Sequence, residues 1–349
     1  MSTAVVVDAP GAHRIVPHEP RPPEAGEALV RVHAVGVCGS DREVYRGNRP
    51  EGYVRYPLTP GHEWSGTVEA VGAGVPESLT GRRVVGEGFR NCQVCDRCHA
   101  GETTLCTAGY EETGFTRPGA MAATLTLPAR LLHVLPDDAD LTAAALLEPA
   151  ACIAAAVLKA GARPGERVAV VGTGTLGMFA VQFLRAGSPA ELLVVGTGRG
   201  REALSRRFGA TGFRTKDAVD PSRPGDFDVV VETAGSADAA RTAAALLRRG
   251  GRLVLTGIPA PGADGLDPTE LVVRQLTVHT VFGAPPDAWA HTVRVFAAGL
   301  LDPVPLVTHE LPLAGFSRAV ELVGSGDPAV GKVLLRPGAT ETYAGTGTT

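Results

Sequence analysis

The chain has 349 residues, 44% of them hydrophobic and 20% charged, with a formal net charge of -4. At about 150 residues per domain this length predicts two domains with ample core, and the slightly acidic balance excludes a basic field for nucleic acid or an anionic membrane. The first residues carry no basic stretch and no long apolar run, so no signal peptide is expected, and no segment reaches the ~18 uninterrupted apolar residues of a membrane helix.

From residue 1 to about 135, short apolar strands are broken by Gly and Pro, as at 27–35 and 66–71. Such spacing predicts a β-rich, partly barrel-like domain. Within it lie Cys38, in Val37-Cys-Gly-Ser-Asp41, and His62 with Glu63, in Pro60-Gly-His-Glu-Trp-Ser-Gly66. Each is unremarkable alone. Four cysteines follow at Cys92, Cys95, Cys98 and Cys106, spaced C-x2-C-x2-C-x7-C. This spacing brings four thiolates round one tetrahedral ion, as a closed structural zinc site requires. A pair of disulfides is the competing reading, but loops so short strain a bridge, and nothing in the chain indicates secretion. Thiols pledged to a metal imply a reducing compartment, so the cytoplasm is expected.

After Glu148-Pro149 the pattern changes. An Ala-rich helix over 150–160 leads to Pro164-Gly165, and strands then alternate with helices. Candidate strands span 167–171, 192–195, 228–231, 252–256 and 277–282. Such alternation predicts an α/β, doubly wound parallel sheet. From Pro286 a further helix over 288–298 and a strand-helix-strand ending at Lys332-Val-Leu-Leu335 are expected to return to the first domain. The boundaries are therefore 1–150 with 286–349, including a zinc lobe at about 90–107, and 151–285 for the parallel sheet. The Gly/Thr-rich end, 337–349, is expected to fray.

The segment Val168-Ala-Val-Val-Gly172-Thr173-Gly174-Thr175-Leu176-Gly177 is G-x-G-x-x-G directly after a strand and opening a helix. Its first two glycines permit a tight turn and close approach to a pyrophosphate, and the third permits close helix–strand packing. The helix N-terminus supplies free N–H groups to phosphate. An NAD-binding domain of this kind places Asp or Glu about 20 residues on, at the end of the second strand, to hold the ribose 2′-hydroxyl. Here that strand ends in Gly196-Thr197-Gly198-Arg199-Gly200-Arg201. Gly196 leaves room for a 2′-phosphate, Thr197 offers a hydrogen bond, and Arg199 or Arg201 can fork onto the anion. The competing reading is a solvated arginine loop. NADP(H) is the expected cofactor.

Taken together, Cys38-Gly-Ser-Asp, Gly61-His-Glu-x-x-Gly66, the lobe 92–106, Glu148-Pro, Gly172-x-Gly-x-x-Gly177 and Gly331-Lys-Val resemble the zinc-containing medium-chain alcohol and polyol dehydrogenases over nearly the whole chain. The resemblance implies a GroES-like β-rich catalytic domain joined to a Rossmann cofactor domain, with one catalytic and one structural zinc. It implies catalytic zinc held by Cys38, His62 and a carboxylate. Glu148 matches the acidic ligand of the sorbitol and threonine dehydrogenase branch, and Glu63 a residue that approaches the metal when water moves. Three ligands leave one position open for a substrate oxygen. Ser40 matches the hydroxyl that passes the alcohol proton outward. Many members carry a His five residues after the first zinc Cys, whereas this chain has Glu43. Either Glu43 accepts the proton or the relay ends in water. Cys152 is read as core, with the metal as its other possible neighbour.

The text around Gly61 and Gly114 is most similar to bacterial dehydrogenases of cyclitol and amino-sugar pathways. Glu111 and Glu112 either meet a substrate amine or belong to a solvated loop. The leading reading is a zinc oxidoreductase interconverting a secondary alcohol and a ketone on a small polar polyol-like molecule, working as a homodimer or homotetramer. The alternatives are a zinc-free quinone or enoyl reductase, and a catalytically silent, zinc-stabilised NADP-binding protein.

Overall fold

The computed structural model describes residues 2–220, 225–259 and 265–338, so most of the end expected to fray lies outside the described residues. Contacts divide the chain into two units, one of residues 1–90, 109–146 and 307–349, the other of 91–108 and 147–306.

The first unit is built on a seven-stranded sheet. Its path runs Val307–Pro312, Lys332–Arg336, Glu27–Val37, Glu63–Val71, Arg83–Gly86 and Leu132–Val134, with Thr124–Pro128 also pairing Glu27–Val37. A hairpin of Thr3–Ala9 and Ala12–Pro17 stands beside it as a separate sheet. Valine-rich strands suit a pleated, half-buried surface. Val30, Val32, Val35, Trp64, Leu127, Val333 and Leu335 meet Phe316 and Val320 in one core. The expected return of the chain is present as Val307–Pro312, the helix Phe316–Val323 and Lys332–Arg336.

The second unit holds six parallel strands in the order Gly212–Thr215, Glu191–Gly196, Arg167–Val171, Phe227–Glu232, Leu247–Leu255 and Thr277–Thr280. In chain order this is 3-2-1-4-5-6, the doubly wound arrangement in which ligands bind where the order reverses, beyond the strand ends. All five expected strands are present, with bounds moved by a few residues. Gly212–Thr215 is an addition. The run Leu192–Val195 is buried on both faces, as a central parallel strand must be. The helix Leu147–Ala160 begins three residues before the expected span and carries Glu148 in its first turn. The helix Pro286–Ala297 packs against it and groups with this unit, as does the cysteine lobe. Among the described residues no helix is long and apolar enough to cross a membrane.

Candidate active site

Sheet register assembles the first cluster. Gly36 pairs with Glu63 across antiparallel strands, so the residues just beyond, Cys38 and His62, come side by side at one sheet end. Cys38 is the N-cap of the helix Gly39–Arg46, and its backbone N–H donates to Asp41 Oδ2 at 2.8 Å. The sulfur of Cys38, a ring nitrogen of His62 and a carboxylate oxygen of Glu63 all lie within 4.8 Å of one another. His62 Nδ1 stands 3.6 Å from Asp41 Oδ1, and Ser40 Oγ lies 3.4 Å from His62 Nε2. Asp41 is fully buried. A carboxylate behind a ligating imidazole fixes ring orientation and tautomer, so the donor set fits a zinc ion. Asp41 is part of the quoted motif, but its partner becomes visible only in three dimensions.

Glu63 does more than stand near this cluster. Its oxygens accept both 2.7 and 2.8 Å bonds from Lys332 Nζ, and both side chains are buried. The two residues sit on strands flanking Glu27–Val37, with Val333 opposite Val37 and Glu63 opposite Gly36. A Cβ at Gly36 would fall 2.2 Å from Glu63 Oε2, so the carboxylate reaches across the strand only because residue 36 lacks a side chain. Removing one partner of a buried pair strands the other charge, at a cost of about 3–5 kcal/mol. Lys332→Met is accordingly expected to lower unfolding free energy by about that amount in denaturant titrations. The double variant Glu63→Gln/Lys332→Met is expected to recover most of the loss, and equal destabilisation in both would refute a charge effect.

Glu43 is more than half exposed, and its carboxylate lies 3.9 Å from Arg49 Nη1. The Arg49 side chain is only 9% exposed. It donates to Tyr53 O at 3.3 Å and to Tyr110 Oη at 2.9 Å, and its guanidinium lies 3.9 Å above the Phe115 ring. Phe115 in turn packs 4.8 Å from the His62 ring. Glu111 and Glu112, left open between two readings, separate here. Glu111 is a surface partner of Arg117 at 2.6 Å. Glu112 is buried, accepts from Tyr110 Oη and lies 3.8 Å from Arg49, and burial pushes its carboxyl above the usual carboxylate range. Arg49, Tyr110 and Phe115 are neighbours of the site that sequence reasoning missed.

Glu148 belongs to the second unit, where the Cys152 thiol one helical turn on donates to its Oε1 at 3.5 Å. Cys152 is half-buried rather than sealed in the core.

The lobe brings all four sulfurs of Cys92, Cys95, Cys98 and Cys106 within 4.8 Å of one another, with Cys92 and Cys98 3.9 Å apart. All six cysteines of the chain are free thiols. Gln93 at φ 65° and Gly101 at φ 79° fold the chain back on itself. Backbone N–H groups point at sulfur, Cys92 N to Cys106 Sγ at 3.3 Å and Cys98 N to Cys95 Sγ at 3.5 Å. The N–H groups of Thr107 and Cys98 hold the Cys95 thiol down at about 5, whereas desolvation pushes Cys98 up to about 12. Four convergent sulfurs with oriented amide donors fit a closed tetrahedral zinc.

In the loop 172–177, packing requires glycine at two positions and leaves the third facing open space. A Cβ at Gly172 would lie 2.4 Å from Thr233 Oγ1, and one at Gly177 would lie 2.1 Å from Gly172 O. At Gly174 a Cβ would meet nothing within 4 Å. That space lies at the N-cap of the helix Thr175–Ala186, where unsatisfied N–H groups attract phosphate. Opposite, the turn after Phe227–Glu232 is held by Glu232, which accepts from Ala234 and Gly235 N–H at 2.7 and 2.8 Å. Gly196 has a packing reason of its own, since a Cβ there would lie 2.8 Å from the Thr173 methyl. Beyond it, Arg199 is exposed and pairs with Glu202.

Comparison with known proteins agrees with this construction. The alcohol dehydrogenase GroES-like domain family matches residues 24–137, and the zinc-binding dehydrogenase family residues 175–298. L-threonine 3-dehydrogenase of Anaeromyxobacter dehalogenans is 32% identical over 332 residues, 91% of this chain and 94% of its own. The crystal structure of a Sinorhizobium meliloti protein bound to NADP superimposes with a TM-score of 0.89 at 26% identity, covering 97% of this chain and 99% of that one. The cobalt- and zinc-bound thermostable alcohol dehydrogenase of Pyrobaculum aerophilum gives 0.86 at 30% identity, covering 96% and 99%.

Proposed function

The chain belongs to the zinc-dependent medium-chain alcohol dehydrogenase family, and on that footing we propose that it interconverts a secondary alcohol and a ketone on a polar polyol, cyclitol or amino-sugar, using NADP(H). That it is an alcohol-dehydrogenase-type oxidoreductase using zinc and a nicotinamide dinucleotide follows from the family. The alcohol–ketone chemistry in this reading is supported by one observation, the convergence of Cys38, His62 and Glu63 beside the Ser40 hydroxyl. When bound, zinc supplies a Lewis acid for the substrate oxygen and the nicotinamide a hydride donor or acceptor.

The chain's own residues have separate tasks. Cys38 and His62 hold the metal, with the Glu63 carboxylate within 4.8 Å of both. Asp41 orients the imidazole through its 3.6 Å approach to Nδ1. Ser40 Oγ passes the proton between the substrate oxygen and solvent. Lys332 balances the Glu63 carboxylate, which keeps negative charge beside the ligand cluster from accumulating. Gly174 leaves an open face for the pyrophosphate, and Arg199 and Arg201 are the charges offered to a 2′-phosphate. The name of the threonine dehydrogenase relative describes a secondary alcohol beside an amine, which supports a polar, amine-bearing substrate.

The test is metal analysis combined with turnover on polyols, cyclitols and aminoglycoside ketones with both cofactors. Two zincs per chain and NADP(H)-dependent turnover are expected. No zinc with quinone or enoyl reduction would replace the reading with the zinc-free reductase, and one zinc without turnover would leave a silent binding protein. Arg199→Ala and Arg201→Ala are each expected to weaken NADPH about ten- to a hundredfold, since a charge-assisted contact to phosphate contributes ~1.5–3 kcal/mol. Equal KM values for NADPH and NADH in the unaltered enzyme would show that the loop reads otherwise.

A homodimer or homotetramer is part of the same proposal. The strand Thr277–Thr280 ends the parallel sheet, close in sequence to the exposed Val272, Val273 and Phe282. An edge of this kind favours pairing with another copy. Sedimentation velocity distinguishes the assemblies. Cysteines committed to metal fit the reducing, cytoplasmic setting expected for this chain.

A further inference from the structure

The second-strand loop has no carboxylate at the strand end, but the folded chain brings one to it. Glu202 opens the helix Glu202–Arg207, and its Oε2 lies 2.5 Å from Arg199 Nη1. Its Oε1 accepts from Arg206 Nη2 at 3.1 Å and from Arg206 Nε at 3.2 Å. The carboxylate is settled, with its side chain 21% exposed, whereas that of Arg199 is 67% exposed. The helix carries the acid and the loop carries the arginine, so any anion that engages Arg199 arrives beside a fixed negative charge.

We infer that Glu202 is a specificity-determining residue for the cofactor, competing with the adenosine 2′-phosphate for the Arg199 guanidinium and so moderating the preference for NADP(H). This rests on the proposed role of Arg199 at the 2′-phosphate. The physical basis is direct. A guanidinium hydrogen-bonded to a carboxylate offers fewer free N–H groups to phosphate, and a like charge beside a near-dianion opposes its binding. An NADH ribose hydroxyl carries no charge and does not compete with Glu202 for the guanidinium. An exposed ion pair of this type contributes little to folding, so its removal acts on the ligand rather than on the fold.

The experiment uses the full-length protein and compares the unaltered chain, Glu202→Gln, Arg199→Ala and the double variant. Calorimetric Kd values are measured for NADPH, NADH, 2′,5′-ADP and 5′-AMP, with thermal melts confirming folding. Glu202→Gln is expected to tighten NADPH and 2′,5′-ADP by roughly three- to tenfold while NADH and 5′-AMP stay within about twofold. In the Arg199→Ala background the same substitution is expected to give a clearly smaller gain. Unchanged or weaker NADPH binding in Glu202→Gln overturns the inference, and weaker binding would identify Glu202 as a brace for Arg199 instead. A gain of equal size without Arg199 also overturns it, because net charge alone would then explain the effect. If the unaltered chain binds NADPH and NADH alike and Arg199→Ala weakens both equally, the NADP(H) reading itself falls and takes the inference with it. The first two outcomes leave that reading standing, so the two failures are distinguishable.

Discussion

Cys38→Ala and His62→Ala are each expected to abolish turnover while NADPH still binds. In the proposed site Cys38 and His62 are the sulfur and nitrogen donors, and a catalytic zinc that keeps one position open has few donors to spare, so loss of either is expected to release it. Without the metal, the substrate oxygen loses a Lewis acid contributing several kcal/mol, and at about 1.4 kcal/mol per tenfold that is a fall of roughly a thousandfold or more. Cofactor binding survives because Gly172 to Gly177 and Arg199 belong to the second unit, whereas Cys38 and His62 belong to the first. The measurement is zinc content, kcat and NADPH fluorescence on each variant. Most of the activity persisting in Cys38→Ala after zinc is confirmed absent would sink the metal mechanism and favour the zinc-free reductase. Glu43→Ala is expected to cost far less. Its carboxylate is largely exposed and meets Arg49 at only 3.9 Å, so water replaces it.

The limits of sequence reading here follow the range of the signal. The lobe spacing, the glycine loop and the alternation of strands and helices are local patterns, and their elements stand where those patterns put them. The strand Gly212–Thr215 carries little pattern in the sequence because it is short, starts with Gly and has an exposed Arg at its third position. The site's supporting residues were hidden for a different reason. Glu63 and Lys332 are 269 positions apart and meet only because two strands flank Gly36. No periodicity joins Arg49 to Phe115, or Asp41 to His62; sheet register and loop closure do. Glu202 was near at hand in sequence but lies past the strand end, where the ribose carboxylate is ordinarily sought, and helix geometry turns it back onto Arg199. Gly196 teaches a related point. Its lack of a side chain fits room for phosphate, yet the Thr173 methyl imposes the same requirement.

Cys98→Ser is expected to release one zinc per chain and to leave a poorly folded protein. The lobe spans 91–108 with two short helical turns, Asp96–His99 and Thr103–Leu105, and Val94 and Leu105 are exposed. So small and open a segment buries too little apolar surface to hold its own shape. What fixes it is the convergence of four sulfurs, and binding free energy at such a site, on the order of 10 kcal/mol, is folding free energy. Serine keeps the size of the side chain but offers a hard, weakly acidic hydroxyl in place of a thiolate. The neighbouring sulfurs then face one another with no ion among them, and the N–H groups aimed at Cys95 and Cys106 no longer support a metal-bound charge. The expected results are about one zinc instead of two by elemental analysis, a lowered melting temperature and rapid proteolysis near the lobe. A Cys98→Ser protein with full stability and unchanged zinc would show that the lobe folds on its side-chain packing alone.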